Sequence, residues 1–141
     1  MPKKYGSAHW EGDLKEGKGT VSVESGAIED QPYGFNTRFE DKPGTNPEEL
    51  VAAAHASCFS MALSMVLGDA GMTASEIDTR ATVTLDQVDG GFAVTKSHLD
   101  VTVSVPDGDP DKVMEACEGA KANCPISKLL TAEITMDAKV V

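Results

Sequence analysis

The 141-residue sequence is short of several things, and each shortage excludes a class of protein. Its three cysteines, Cys58, Cys117 and Cys124, are too few and too odd in number for a disulfide scaffold. Any bridge among them is expected to be transient and chemical. Positive charge is also scarce, with 12 Lys and Arg against 23 Asp and Glu and a net charge of -11. That balance argues against a nucleic-acid or anionic-membrane partner. The two lysines of "MPKKYGSAHWEG" are followed by no apolar run, so the hydrophobic region of a secretory signal is missing and a cytoplasmic protein is expected. There is no internal repeat, no low-complexity linker and no CxxC or HxxxH pair.

What is present suits one domain over 1–141 with a real hydrophobic core. Up to about residue 40, short β-type segments alternate with turns: "SAHWEG", then "DLKEGKG", then "TVSVES" with a period of two. "QPYGFNTRFE" reads as a further strand carrying three aromatics and Arg38, and "DKPGTN" reads as a loop. In the second half, "IDTRATVTLDQV", the turn "DGG" and "FAVTKSHLDVTVSV" predict a long hairpin. Asp109 and Pro110 then open a helix that closes before Pro125, "PISKLLTA" suits a short helix, and "EITMDAKVV" a last strand. The order β-β-β-α-β-β-α-β predicts an α+β fold of antiparallel strands packed on two principal helices.

The longest uninterrupted feature is "NPEELVAAAHASCFSMALSMVLGDAG". Asn46 is a good N-cap, Pro47 fits the first helical position, and Glu49 stands where a capping box places its acid. Gly68 or Gly71 ends the helix. From Leu50 to Leu67 there are 18 residues without a formal charge, the lower limit for a membrane span. Ala, Ser and His dilute the run, however, and its flanks are acidic, so a central helix wrapped by sheet and buried on every side is the expectation.

A free cysteine is most often a small buried hydrophobe. Three features point Cys58 and Cys124 elsewhere. Cys124 precedes Pro125, so its sulfur is expected at a helix N-terminus, where amide donors favour a thiolate. Arg38, one of only two arginines, lies among Tyr33, Phe35 and Phe39 and could supply a fixed cation inside an apolar wall. Glu48 is free to orient such a cation, with a favourable first-turn acid as its plainer role. A thiol of ordinary pKa about 8.5 is only slightly ionised at neutral pH, and a nearby cation lowers it by roughly 1–3 units. Beside Arg38, Cys58 becomes a nucleophile; without it, apolar surroundings leave it inert. Helix-end reasoning alone makes Cys124 the more acidic thiol.

"PYGFNTRFE", "GTNPEELVAAAHASCFSMALS" and "CPISK", in that order with a hairpin between the last two, resemble the OsmC branch of the OsmC/Ohr family of thiol peroxidases. The likeness runs from "AHWEGDLKEGKGTVS" to "AEITMDAKV", nearly the whole chain. The resemblance implies an OsmC-like fold, with antiparallel sheets wrapped around a central helix in an intertwined homodimer. It implies reduction of organic hydroperoxides, and of hydrogen peroxide less well, with no metal and no bound organic cofactor. By motif position Cys58 would be the peroxidatic thiolate and Cys124 the resolving thiol. Arg38 would hold the thiolate and polarise the peroxide, and Glu48 would hold Arg38. A dithiol donor resets the disulfide; in the Ohr branch that donor is a lipoyl protein. One geometric difficulty remains: ten residues of straight helix separate Glu48 from Cys58 by about 15 Å and turn it away by roughly 80°.

Other candidates carry plainer readings. His55 and Cys58 are a possible metal pair three residues apart, but His9 and His98 fall in separate strands and nothing completes the site. His55 is expected to be packed, with some influence on Cys58. Met61 and Met65 share a helix face with Cys58, either as core or as the lining of a channel. Cys117 is expected to be structural, and "DGDPD" and "LDQVDGG" lack the calcium-loop pattern. The rival function is a dimeric binder of a small hydrophobic molecule, with redox-sensing cysteines.

Overall fold

The structure is a computed structural model that describes residues 1–141. The chain forms two compact units, Met1–Leu50 and Val51–Val141. In the first, β1 (Gly6–Glu11), β2 (Lys18–Val23) and β3 (Gln31–Tyr33) make the expected antiparallel meander in the order β1-β2-β3. At Gly19 in its middle an added Cβ would meet the rings of Trp10 and Tyr33, each at 2.6 Å. The expected strand through "QPYGFNTRFE" stops after three residues, and Phe35–Phe39 form a helical turn, α1. Thr37 causes the change: its hydroxyl accepts from Gly34 N–H at 3.0 Å and donates to Gly34 C=O at 3.1 Å, closing a turn no strand can hold. Arg38 therefore sits on a helical turn rather than on a strand.

The long helix α2 (Pro47–Asp69) begins as the caps predict. Asn46 Oδ1 accepts from Glu49 N–H at 2.8 Å, and Asn46 C=O accepts from Leu50 N–H at 3.2 Å. It ends at Asp69, where Gly71 takes φ +77° and Met72 N–H reaches back to Leu67 C=O at 2.8 Å.

The second unit holds the core. β4 (Glu76–Val88) and β5 (Gly91–Ser104) form the predicted hairpin on Asp89 and Gly90, both with positive φ. α3 (Pro110–Asn123) is capped by Asp109, α4 (Pro125–Leu129) is capped by Cys124, and β6 (Glu133–Val140) closes the sheet β4-β5-β6. Here the all-antiparallel expectation fails, because β6 runs parallel to β5. The connection between them is a crossover through α3 and α4 rather than a turn, and a crossover returns the chain to the end it left. The class is α+β, as predicted, with two short helices, α1 and α4, beside the two principal ones.

Phe59, Leu63 and Leu67 of α2 pack with Leu99, Val101 and Val103 of β5 and with Val113, Ala116, Cys117 and Ala120 of α3. Their spacing of four continues back to His55, making one buried stripe. The expectation that α2 is buried on every side is not met in a single chain, since Met61 is 76% and Met65 63% exposed. The core covers one stripe of the helix and part of its flanks, and leaves Met61 and Met65 open. By length and composition α2 could also cross a bilayer, but its buried stripe belongs to the protein core.

Candidate functional site

The four residues singled out in the sequence fall into two pairs. In the first unit Arg38 on α1 meets Glu48 in the first turn of α2. Arg38 Nε donates to Glu48 Oε1 at 2.9 Å and to Oε2 at 3.2 Å. The carboxylate is the better buried partner, its side chain 14% exposed against 38% for the arginine. The guanidinium also lies 5.4 Å from the centroid of the Phe39 ring, so both carboxylate and aromatic contacts restrain it. The Glu48 carboxylate thus holds the Arg38 guanidinium.

In the second unit Cys58, at mid-helix on α2, faces Cys124, the N-cap of α4. The two side chains are near enough for Cys124 to act on the Cys58 thiol. Cys58 is half-buried and Cys124 fully buried. Burial pushes the Cys58 thiol above its ordinary value, a hydrogen bond from the Ile126 backbone N–H pulls it down, and Cys124 pushes it up again. This is the direction expected of an interior cysteine without a cation. Cys124 occupies the predicted helix-end position, its sulfur accepting from Ser127 N–H at 3.3 Å.

Sequence reasoning missed the groups behind these thiols. Ser127 Oγ lies 3.1 Å from Cys124 Sγ, and Ile126 supplies the amide at Cys58. The signal available was the interval in "CPIS", which puts a serine one helical turn after its cap. His55 is fully buried, with Nδ1 2.6 Å from Ser97 Oγ and Nε2 2.8 Å from Ser127 Oγ. Both nitrogens are committed to hydroxyls, so His55 and Cys58 do not form a metal pair. Burial lowers the His55 pKa, and the ring is neutral.

Of the other candidates, Cys117 is buried in the core, its thiol pushed up by burial and then by the Glu118 carboxylate. His98 belongs to a trio the sequence did not reveal. Its Nε2 lies 3.3 Å from Asp100 and 3.2 Å from Asp137 on an open sheet face, because parallel pairing puts the two aspartates side by side. These contacts, with that of His98 Nδ1 to Thr135, account for the cluster. An apolar cavity of about 200 Å³ is lined by Ala8, Val21, Tyr33, Asn46, Pro47 and Leu50, all of the first unit. That is below the ~300–1,000 Å³ of drug-sized ligand pockets. Met61 and Met65 do not line it.

Comparison with known proteins identifies the family. Residues 39–139 match the OsmC family, described as OsmC-like protein. The chain is 61% identical to peroxiredoxin OsmC of Escherichia coli (strain K12) over 134 residues, 95% of this chain and 94% of that protein. It is 33% identical to the organic hydroperoxide resistance protein OhrB of Bacillus subtilis over 111 residues, 78% and 79% of the two chains. Among solved structures, OhrB of Bacillus subtilis shares the fold with a TM-score of 0.67 at 26% identity, covering 97% of this chain and 98% of that one. An OsmC-like protein of Vibrio cholerae shares it with a TM-score of 0.78 at 17% identity, covering 98% and 99%. With the family matched over most of its length and a relative this near along almost all of it, the chain belongs to the OsmC family.

Proposed function

We propose that this cysteine-based peroxidase reduces organic hydroperoxides to alcohols, with Cys58 as the attacking thiolate and Cys124 as the resolving thiol. One observation carries the reading: two free thiols from α2 and the start of α4 lie near enough to act on one another, and the less buried of them is also influenced by the Ile126 backbone amide. Cys58 thiolate attacks the peroxide oxygen distal to carbon, the O–O bond breaks, and the alkoxide leaves and takes up a proton. Cys58 becomes a sulfenic acid, which Cys124 captures as a disulfide before further oxidation. A dithiol donor, a lipoyl protein in the related Ohr branch, reopens the bridge. Neither a metal nor a bound organic cofactor enters, and residues 1–141 act as one functional domain of a cytoplasmic stress-defence enzyme.

Arg38 is the cation in this reading, held by Glu48, and it lowers the pKa that burial raises. α2 is one helix from Pro47 to Asp69, so Glu48 and Cys58 stand about 15 Å apart along its axis. An arginine held by Glu48 is therefore assigned to the Cys58 of a second subunit, in an intertwined homodimer. The exposed apolar side of α2, with Met61 and Met65, supports such an assembly.

The test is thiol titration before and after one equivalent of cumene hydroperoxide, followed by turnover with a dithiol donor. Two thiols disappear rapidly as a Cys58–Cys124 disulfide; Cys58→Ser abolishes turnover, and Cys124→Ser leaves Cys58 trapped as sulfenic acid. Full turnover in Cys58→Ser, or no disulfide in the oxidised protein, refutes the assignment.

A further inference from the structure

His55 is buried in the core, yet the reaction as described makes no use of it. Its surroundings form an unbroken line in the second unit. Ser97 Oγ meets Nδ1, Nε2 meets Ser127 Oγ, Ser127 Oγ meets Cys124 Sγ, and Cys124 meets Cys58. A buried imidazole needs hydrogen-bond partners in any case, and one hydroxyl per nitrogen satisfies it. The Ser127 hydroxyl that meets His55 is also in contact with the Cys124 sulfur, at 3.1 Å. The sulfur further receives the amide of the same serine, at 3.3 Å, a donor that favours its anionic form.

We propose that Ser127 and His55 relay the proton that Cys124 loses as it closes the disulfide, with Ser127 touching the sulfur and His55 as the positioning residue and acceptor behind it. The inference rests on the peroxidase reading for its oxidant and deepens it at the second step. With Cys124 as a thiol, S–H donates to Ser127 Oγ and Ser127 O–H donates to His55 Nε2. Nδ1 then carries the ring hydrogen and donates to Ser97 Oγ. As Cys124 attacks, its sulfur bonds to the Cys58 sulfur, the S–O bond of the sulfenic acid breaks, and hydroxide leaves to be protonated by solvent. The Cys58 sulfur gains the electron that the Cys124 sulfur loses. The Cys124 proton passes to Ser127 Oγ while the Ser127 proton passes to Nε2. When a dithiol reopens the bridge, Cys124 departs as a thiolate and recovers the proton by the same route.

The surroundings suit a temporary proton store. Ser97 comes from β5, Ser127 and Cys124 from the start of α4, and Cys58 lies one turn along α2 from the ring. Within the chain, no Asp, Glu, Lys or Arg makes a hydrogen bond or ion pair with His55, Ser97, Ser127 or Cys124. Burial keeps the ring neutral, with Nε2 open to a proton and ready to return it.

The test separates the two steps by stopped-flow in the full-length protein: oxidation of Cys58 by one equivalent of cumene hydroperoxide, then disulfide closure. A parallel arm uses saturating diamide, which modifies Cys58 without peroxide and leaves closure to Cys124. Ser127→Ala, and His55→Gln, which keeps a hydrogen-bonding amide but holds no proton, slow closure by roughly 100-fold at neutral pH, while Cys58 oxidation stays within a few-fold. Closure is nearly flat with pH around neutrality in the wild type, and in both variants rises about tenfold per pH unit as hydroxide replaces the relay. Ser127→Thr, which retains the hydroxyl, restores the flat profile. Wild-type closure in both variants overturns the proposal, as does equal slowing of both steps with an unchanged pH profile, the signature of a purely structural role. Should the wild type close with diamide but ignore the hydroperoxide, the peroxidase reading falls and the diamide arm alone decides the relay.

Discussion

The two units of the chain solve opposite problems. All twelve buried hydrophobic residues of the core lie between Phe59 and Cys124, in the second unit, and none lies in Met1–Leu50. The second unit presents its thiols on a packed frame, where Cys58 and Cys124 meet because α2 and α4 are locked by that core. The first unit offers a cation held by a local device, Thr37 closing α1 and Glu48 taking the arginine Nε. Reactive sulfurs need fixed distances, which dense packing supplies. A guanidinium needs only a carboxylate and a ring face, which a short turn can provide.

The sharpest way to break that contrast is to empty the core. Phe59→Ala is expected to lower unfolding free energy by about 3–5 kcal/mol in chemical denaturation. A loss near zero would show that α2 is not held by its buried stripe. Arg38→Met comes next: it leaves the denaturation midpoint nearly unchanged but slows Cys58 oxidation by roughly 10–1,000-fold, the factor that follows from a cation effect of 1–3 pKa units. Mixed dimers sharpen the point further. Arg38→Met subunits paired with Cys58→Ser subunits regain hydroperoxide reduction if the arginine serves the thiol of the other subunit, and stay inactive if it serves its own.

The pH dependence of stability is a subtler probe of the second unit. His55 has its pKa lowered by burial, so the unfolded chain binds the proton more readily. Its contribution is therefore complete above the ordinary histidine range, about pH 6.5, and is lost as pH falls toward the folded value. Cys117 is shifted the other way, and its contribution is present below the ordinary thiol range and lost as pH rises above it. Thermal unfolding across pH is expected to show both flanks, with Cys117→Ala flattening only the alkaline one. The smallest effect belongs to the cap of α2: Asn46→Ala removes the acceptor of Glu49 N–H and costs about 1 kcal/mol in the same denaturation assay.

Where sequence reasoning succeeded, the determinants are local. The start of α2 was legible because Asn46, Pro47 and Glu49 are neighbours, and the β4–β5 turn because Asp89 and Gly90 accept positive φ. It missed α1 because Tyr33, Phe35 and Phe39 read as β-prone, while the Thr37 hydroxyl bond that closes the turn leaves no periodic trace. It made β6 antiparallel because strand direction depends on a crossover whose course is tertiary. His55 was placed beside Cys58 by its interval of three, yet its nearer chemistry runs through Ser127, 72 residues away.

By itself the sequence determined the helix ends, the α+β class, the family, and which side chains are chemically able: two thiols, a cation and a carboxylate. These follow from caps, periodicity and residue type, all read within a few positions along the chain. Only the tertiary structure decided that Cys58 meets Cys124, that His55 lies between two serines, and that α2 buries one stripe rather than its whole circumference. Each of those facts joins residues tens of positions apart, where packing rather than local preference sets the distance.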